Sequence, residues 1–470
     1  MDFSSANVEL WSPIIQIGII ATAILCANVL RRKIAFIRNS LMPTAVLAGF
    51  LLLILKSLNV LKLNSDFLET LTYHGIAIGF IAQSLRVPEK QADPNAAMVG
   101  AKSGALIVST YLVQALVGLV ISLGLAYTIM PDLFKASGIL LPMAYGQGPG
   151  QANNVGTTYE ALGMTNGQTF GLSLAATGYL CACIVGVVYM NILNRKSKIQ
   201  RAGEKAEISG SVTIDTFQAQ DEIPIAQSMD KFSVQFALVC IVYLLTYLIT
   251  WGIVSLLEAV SPGLAKSVSS LLWGFNFIIG SVVALGVRSV MTGLRAKKLM
   301  NRQYQNNYLL SRIAGLAFDV MIVAGIASID ISGLSGLLLP FILMSVLGGV
   351  VTFYWLYYMC KKLYPNYFYE GFFSMFGMLT GTISSGVLLL RELDPELKTP
   401  ASNNLVTGSS FGIVFGIPML FFISFATQSV TTVFLTVLLV AVYLVALTLF
   451  MLKAGKKTSE IATATQTEEN

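Results

Sequence analysis

Eleven stretches of this chain are each long and apolar enough to cross a bilayer, and no other feature limits its fold so strongly. A membrane-spanning helix needs about 20 mostly apolar residues. The stretches fall at residues 10–30, 41–60, 67–85, 103–129, 168–192, 233–258, 267–287, 310–328, 335–359, 404–425 and 430–452. Composition agrees. Of the 470 residues, 55% are apolar and 11% charged, against about 25% charged in a soluble domain. Mean hydropathy is +0.72. So few polar residues cannot cover a water-soluble surface. The net charge of +6 is too small, and the apolar content too high, for nucleic-acid binding or disorder as a main role. The chain reads as an all-α polytopic membrane protein.

Lys and Arg accumulate in cytoplasmic loops. With the N-terminus outside, only Lys56, Lys62, Lys135 and Lys266 of the 30 Lys and Arg residues fall outside. The C-terminus is then cytoplasmic. The N-terminus lacks the pattern of a cleaved signal, since Arg31, Arg32 and Lys33 follow the first apolar run instead of preceding it. Residues 193–232 are polar and mixed in charge, and read as a cytoplasmic linker. The tail after Lys457, rich in Thr, Ala and Glu, is expected to lack order. The five cysteines, Cys26, Cys181, Cys183, Cys240 and Cys360, lie in or beside apolar stretches without metal-ligand spacing. They read as small buried hydrophobes.

Two further segments, 137–160 and 367–391, are apolar but interrupted by glycine and polar residues. They divide the chain symmetrically. Residues 1–192 hold five spans with a broken segment ahead of the fifth. Residues 233–425 hold five more with a broken segment ahead of the tenth, and 426–470 add one helix and a tail. An odd number of spans per half gives the halves opposite topology, the signature of an inverted repeat. The first broken segment would dip from outside and the second from the cytoplasm. Gly146 and Gly150 are four apart, as are Gly377 and Gly381.

Non-helical backbone at membrane depth is tolerated only against protein or water. Gly146, Gly148, Pro149, Gly150 and Gly156 are expected to keep the first segment out of regular helix. Free amides at half-helix N-termini suit anions, and free carbonyls suit cations. Hard oxygen donors cluster there: Gln147, Gln151, Asn153, Asn154, Thr157 and Thr158 in the first segment, and Thr380, Thr382, Ser384 and Ser385 in the second. With Gly146, Gly150 and Gly381 these, apart from Thr158, are the candidate substrate and sodium ligands. Sodium itself is placed at Asn154, Ser384 and Ser385, because hard cations take oxygen ligands. Ordinary surface loops with turn glycines are the alternative.

Asp319 lies near the middle of the eighth span, and an intramembrane carboxylate is a functional candidate by default. The alternative is a structural role, as an ion pair with Arg312 two turns earlier or a hydrogen bond to a neighbouring helix. Glu370, which opens the second broken segment, is a second coupling candidate, though an acidic residue also suits a helix N-terminus. His74, the only histidine, reads better as an interhelical hydrogen-bonding residue than as a proton relay. Enzymatic chemistry is not expected. One histidine cannot build the common zinc sites, and there is no Gly-x-x-x-x-Gly-Lys loop. No cofactor is implied beyond a coupling ion.

The chain resembles the bacterial glutamate:sodium symporter family, itself similar in architecture to the 2-hydroxycarboxylate symporters. The resemblance spans most of residues 8–425. It is carried by Met42–Gly49, Gln83–Arg86, Tyr159–Asn166, and Asn366-Tyr367 through Gly381-Thr382. Family members often have a Gly-Gly-His-Gly-Thr type sequence in the first loop, where this chain reads Tyr145-Gly146-Gln147-Gly148-Pro149-Gly150-Gln151. The resemblance implies a homodimer in the bacterial cytoplasmic membrane, with mobile transport domains that carry the broken segments past a fixed scaffold. It implies sodium-coupled symport of glutamate or a related small organic anion. A proton-coupled carrier using Asp319 or Glu370 is the second expectation, and a channel or non-transporting receptor the third.

Overall fold

The computed structural model describes residues 2–87, 96–199, 230–260, 269, 272–274, 276–394 and 399–468. All regular structure among them is helical. In chain order the α-helices are α1 (Val8–Lys33), α2 (Ala35–Asn39), α3 (Thr44–Ser57), α4 (Ser65–Leu85), α5 (Ala96–Ala126), α6 (Leu140–Tyr145), α7 (Pro149–Ala161) and α8 (Gly167–Arg195). Then follow α9 (Lys231–Val260), α10 (Asn276–Ala296), α11 (Asn307–Ser328), α12 (Leu338–Leu363), α13 (Phe368–Thr380), α14 (Ile383–Arg391), α15 (Pro400–Phe425) and α16 (Val430–Glu468). Short 3-10 turns precede α6, α12 and α13.

Among the described residues nine helices are long and apolar enough to cross a membrane. The chain is an all-α polytopic membrane protein. Two of the eleven expected spans fall short for different reasons. α3 has 14 residues, a length of about 21 Å at 1.5 Å per residue. α4 has 21 residues, but Thr70, Thr72, Tyr73, His74 and Gln83 dilute its apolar character. The expected span 267–287 begins among residues outside the description, and its helix runs on to Ala296. The expected linker lies mostly at 200–229, outside the described residues. α16 continues to Glu468 where an irregular tail was expected, in a stretch without proline and rich in the helix formers Ala, Lys and Glu. Of the cysteines, Cys183 and Cys360 are buried, but Cys26 and Cys240 are exposed on their helices. On an apolar span an outward thiol costs little, because cysteine behaves as a small hydrophobe.

The chain forms two compact units, each assembled from segments on both sides of the linker. The first comprises Met1–Thr22, Ile54–Gln91 and Ser209–Ser328. Within it α4 packs closely on α11 and α10. Gly79 makes the approach possible: a Cβ there would lie 2.4 Å from the Phe318 ring. The adjoining core joins Ile81, Leu85, Val239, Val242, Ala284, Leu310 and Ile313. Arg288, read from sequence as a loop residue, lies inside α10. Its Nη1 donates to Ser84 O at 3.1 Å and Arg86 O at 2.9 Å, and so serves carbonyls at the end of α4 that lack intrahelical donors.

The second unit comprises Ala23–Leu53, Ala92–Ile208 and Ile329–Asn470. Here α5 is the central helix, packed against α12, α15 and α16. The two broken segments both belong to this unit: α6 and α7 pack on α8, and α13 and α14 pack on each other and on α8.

Candidate functional site

The first break is shorter than the glycine content suggests. α6 ends at Tyr145, whose Oη donates to Ser345 O at 2.6 Å. Gly148 is the N-cap of α7, with φ 85 and ψ −173, a conformation strongly disfavoured for residues with a Cβ. Pro149 follows at the first helical position, where its missing N–H is no loss. From Gly150 onward the segment is regular helix, against the expectation of a long irregular loop. Gly156 serves packing there instead, since a Cβ would come within 2.6 Å of Gln168 Cα on α8.

The second break is tighter still. α13 ends at Thr380, whose Oγ1 donates to Phe376 O at 2.7 Å. Gly381 and Thr382 leave the helix, and α14 begins at Ile383. The arms of this hairpin touch at glycines. A Cβ on Gly377 would lie 2.8 Å from Ser385 O, and one on Gly386 2.4 Å from Ser374 O.

The breaks meet. A Cβ on Gly148 would lie 3.3 Å from Thr382 Cγ2, 3.6 Å from Gly381 O and 3.7 Å from Tyr179 Oη. A Cβ on Gly381 would lie 2.8 Å from Ser385 Oγ and 3.0 Å from Tyr179 Cδ1. α8 supplies the floor: Gly178 approaches Thr380 O so closely that a Cβ would stand 2.4 Å from it. The N-terminus of α7 and the N-terminus of α14 therefore face one small region, and neither N-cap residue caps its helix with a side chain. Thr382 Oγ1 and Ser385 Oγ are buried atoms without a hydrogen-bond partner among the described residues. Unsatisfied buried polar atoms are rare enough in folded proteins to require an explanation.

The sequence candidates sort clearly on this frame. Gly146, Gln147, Thr380, Gly381, Thr382 and Ser385 lie at or beside the breaks. Gly150, Gln151, Asn153 and Asn154 lie in the first turns of α7, all buried. Asn153 Oδ1 accepts from Gln168 Nε2 at 2.8 Å, and Thr158 Oγ1 donates to Asn154 O at 2.8 Å. Thr157 and Ser384 do not join the site, because both side chains are exposed on the outer faces of their helices. A ligand set of Asn154, Ser384 and Ser385 is therefore not assembled as drawn. Adjacent helical residues diverge by about 100° around the axis, so Ser384 and Ser385 do not share a face.

Glu370 sits in the first turn of α13, ten residues before Thr380 and so about 15 Å along the helix from the break. Asp319 lies on an exposed face of α11 in the first unit. Arg312 stands over the Tyr308 ring at 4.9 Å. His74 Nδ1 and Tyr243 Oη share an interhelical hydrogen bond at 2.7 Å. Among the described residues no cluster of three or more His, Cys, Asp or Glu is placed to hold a metal.

Sequence reasoning passed over Tyr179 and Gln114. No local motif marks either, since they reach the breaks from α8 and α5 only through packing. It also overlooked Gly408-Ser409-Ser410-Phe411-Gly412, which has the Gly-x-Ser-x-Gly spacing of a nucleophile elbow. That run lies within continuous helix α15, with Ser410 Oγ donating to Val406 O at 3.3 Å. An elbow needs a strand-to-helix turn. Comparison with protein-family models, curated proteins and solved structures finds no match.

Proposed function

We propose that the chain is a secondary active transporter, a sodium-coupled symporter of glutamate or a related small organic anion. The observation that carries this reading is the meeting of the two helix breaks at Gly148 and Thr382, with Thr382 Oγ1 and Ser385 Oγ buried and unpartnered beside them. Two helix N-termini supply free N–H groups and partial positive charge for a carboxylate. The hydroxyl oxygens and the carbonyls at the ends of α6 and α13 supply the hard ligands sodium prefers. Holding both solutes at one pair of breaks gives a physical basis for coupling, because each occupant neutralises charge that the other would meet. Alternating access follows from movement of the domain that carries the breaks. A homodimer in the bacterial cytoplasmic membrane, with its N-terminus outside, completes the proposal.

The test is uptake of labelled glutamate and of small dicarboxylates into proteoliposomes. Saturable uptake distinguishes a carrier from a channel or receptor. Loss of uptake when choline replaces sodium, with a proton gradient kept, supports sodium coupling. Retained uptake in choline assigns coupling to protons instead.

A further inference from the structure

Gln114 reaches the second break from α5, and its side chain is wholly buried. Its Nε2 donates to Thr352 Oγ1 of α12 at 2.9 Å and to Leu379 O of α13 at 2.9 Å. Leu379 lies in the last turn of α13, where carbonyls have no intrahelical donor. A carbonyl can only accept, so the amide nitrogen must face Leu379. That fixes the amide's orientation and leaves Oε1 as a buried acceptor with no partner among the described residues. An orphaned buried acceptor costs about as much as a bond contributes. A group present only for stability is poorly served by this arrangement.

We propose that Gln114 is a positioning residue. It ties the final turn of α13 to α5 and α12, and so fixes where Gly381, Thr382 and Ser385 stand against Gly148. It also occupies one of the two lone pairs of Leu379 O. The consequence for uptake rests on the transport reading above, but the consequence for the backbone does not.

Gln114→Met separates positioning from bulk, because it keeps the volume while removing both the donor and the orphaned oxygen. We expect its thermal midpoint in detergent to fall, because Leu379 O and Thr352 Oγ1 both lose this donor while only the orphaned Oε1 is relieved. Amide hydrogen exchange across residues 379–386 is expected to quicken about fivefold or more, the scale of one lost buried hydrogen bond. The half-saturating concentration of labelled glutamate is expected to rise by a similar factor, with the maximal rate kept.

Gln114→Glu adds a readout that a merely structural residue would not move. Its ionised carboxylate would repel Leu379 O, whereas the protonated form can donate one bond. Burial disfavours the ionised form and raises the pH at which it appears, so affinity near that of the unaltered protein is expected at about pH 5 and a loss of affinity as the pH is raised to about 9. If Gln114→Met does not accumulate in the membrane, exchange in Gln114→Glu at the two pH values makes the same comparison. Unchanged exchange across 379–386 in Gln114→Met, or a Gln114→Glu pH profile parallel to that of the unaltered protein, overturns the proposal. If the unaltered protein takes up no solute, the transport reading falls and the exchange measurement alone decides the role of Gln114.

Discussion

His74 Nδ1 and Tyr243 Oη lie 2.7 Å apart, joining α4 to α9. The phenol oxygen also accepts from Asn276 Nδ2 at 3.0 Å. A phenol that accepts from Asn276 has its own proton free to donate to His74, and this arrangement predicts the Nε2–H tautomer of the imidazole. Because His74 is the only histidine in the chain, nitrogen NMR of labelled histidine reads this site alone. A single Nε2–H tautomer is expected, replaced by a mixture in Tyr243→Phe. The same variant leaves two polar partners unsatisfied and should lose about 1–3 kcal/mol of stability. A tautomer mixture in the unaltered protein would contradict this hydrogen-bond direction.

The contrast between Ser384 and Ser385 gives a sharper test of the cation ligands. Ser385 is buried next to Gly381 with a hydroxyl that has no partner among the described residues, whereas the Ser384 side chain is exposed. Ser385→Ala is expected to raise the sodium concentration for half-maximal uptake about tenfold, the effect of about 1.4 kcal/mol of lost binding. Ser384→Ala should leave it within about twofold, since surface substitutions away from special features are usually worth under 0.5 kcal/mol. Equal effects from the two variants would remove Ser385 from the site.

Backbone geometry at the first break predicts the outcome at Gly148. Its φ of 85 and ψ of −173 lie in a region occupied almost only by glycine, so another residue there costs about 1–3 kcal/mol, and the new Cβ would press within 3.3 Å of Thr382 Cγ2. Gly148→Ala is therefore expected to keep the fold while weakening glutamate affinity by about tenfold or more. Gly163 provides the control. It also has positive φ, at 101, but a Cβ there meets nothing within 4 Å. Gly163→Ala should show the strain in its thermal midpoint without the change in affinity.

Hydrophobic length and glycine placement made most of the helices and both breaks legible in the sequence. The helix breaks at 146–148 and 381–382 lie inside the segments 137–160 and 367–391, where a Gly-Pro step and a Gly-Thr pair after an apolar run are local signals. The membership of the site was less legible. Ser384 and Ser385 are indistinguishable as residue types, and only the phase of α14 separates the buried hydroxyl from the exposed one. Gly150 and Gly156 read as helix breakers but are helical, and at Gly156 close packing on α8 outweighs intrinsic propensity. Gln114 carried no signal at all: its partners lie 238 and 265 residues away in the chain.

Arg288 is a charged residue inside an apolar helix, and its two bonds to Ser84 O and Arg86 O explain how it is tolerated there. The guanidinium carries several donors in a fixed planar array, so one group serves two carbonyls at the end of α4. Arg288→Lys keeps the charge but has a shorter reach and a point-like head. It is expected to lose about 1 kcal/mol of stability, while Arg288→Met, which leaves both carbonyls without this donor, should lose about 2–3 kcal/mol. Amide exchange should localise the damage to the last turn of α4 through Arg86 and leave α13 and α14 unchanged. If Arg288→Met matches the unaltered protein in both thermal midpoint and exchange, the guanidinium is not what closes the end of α4.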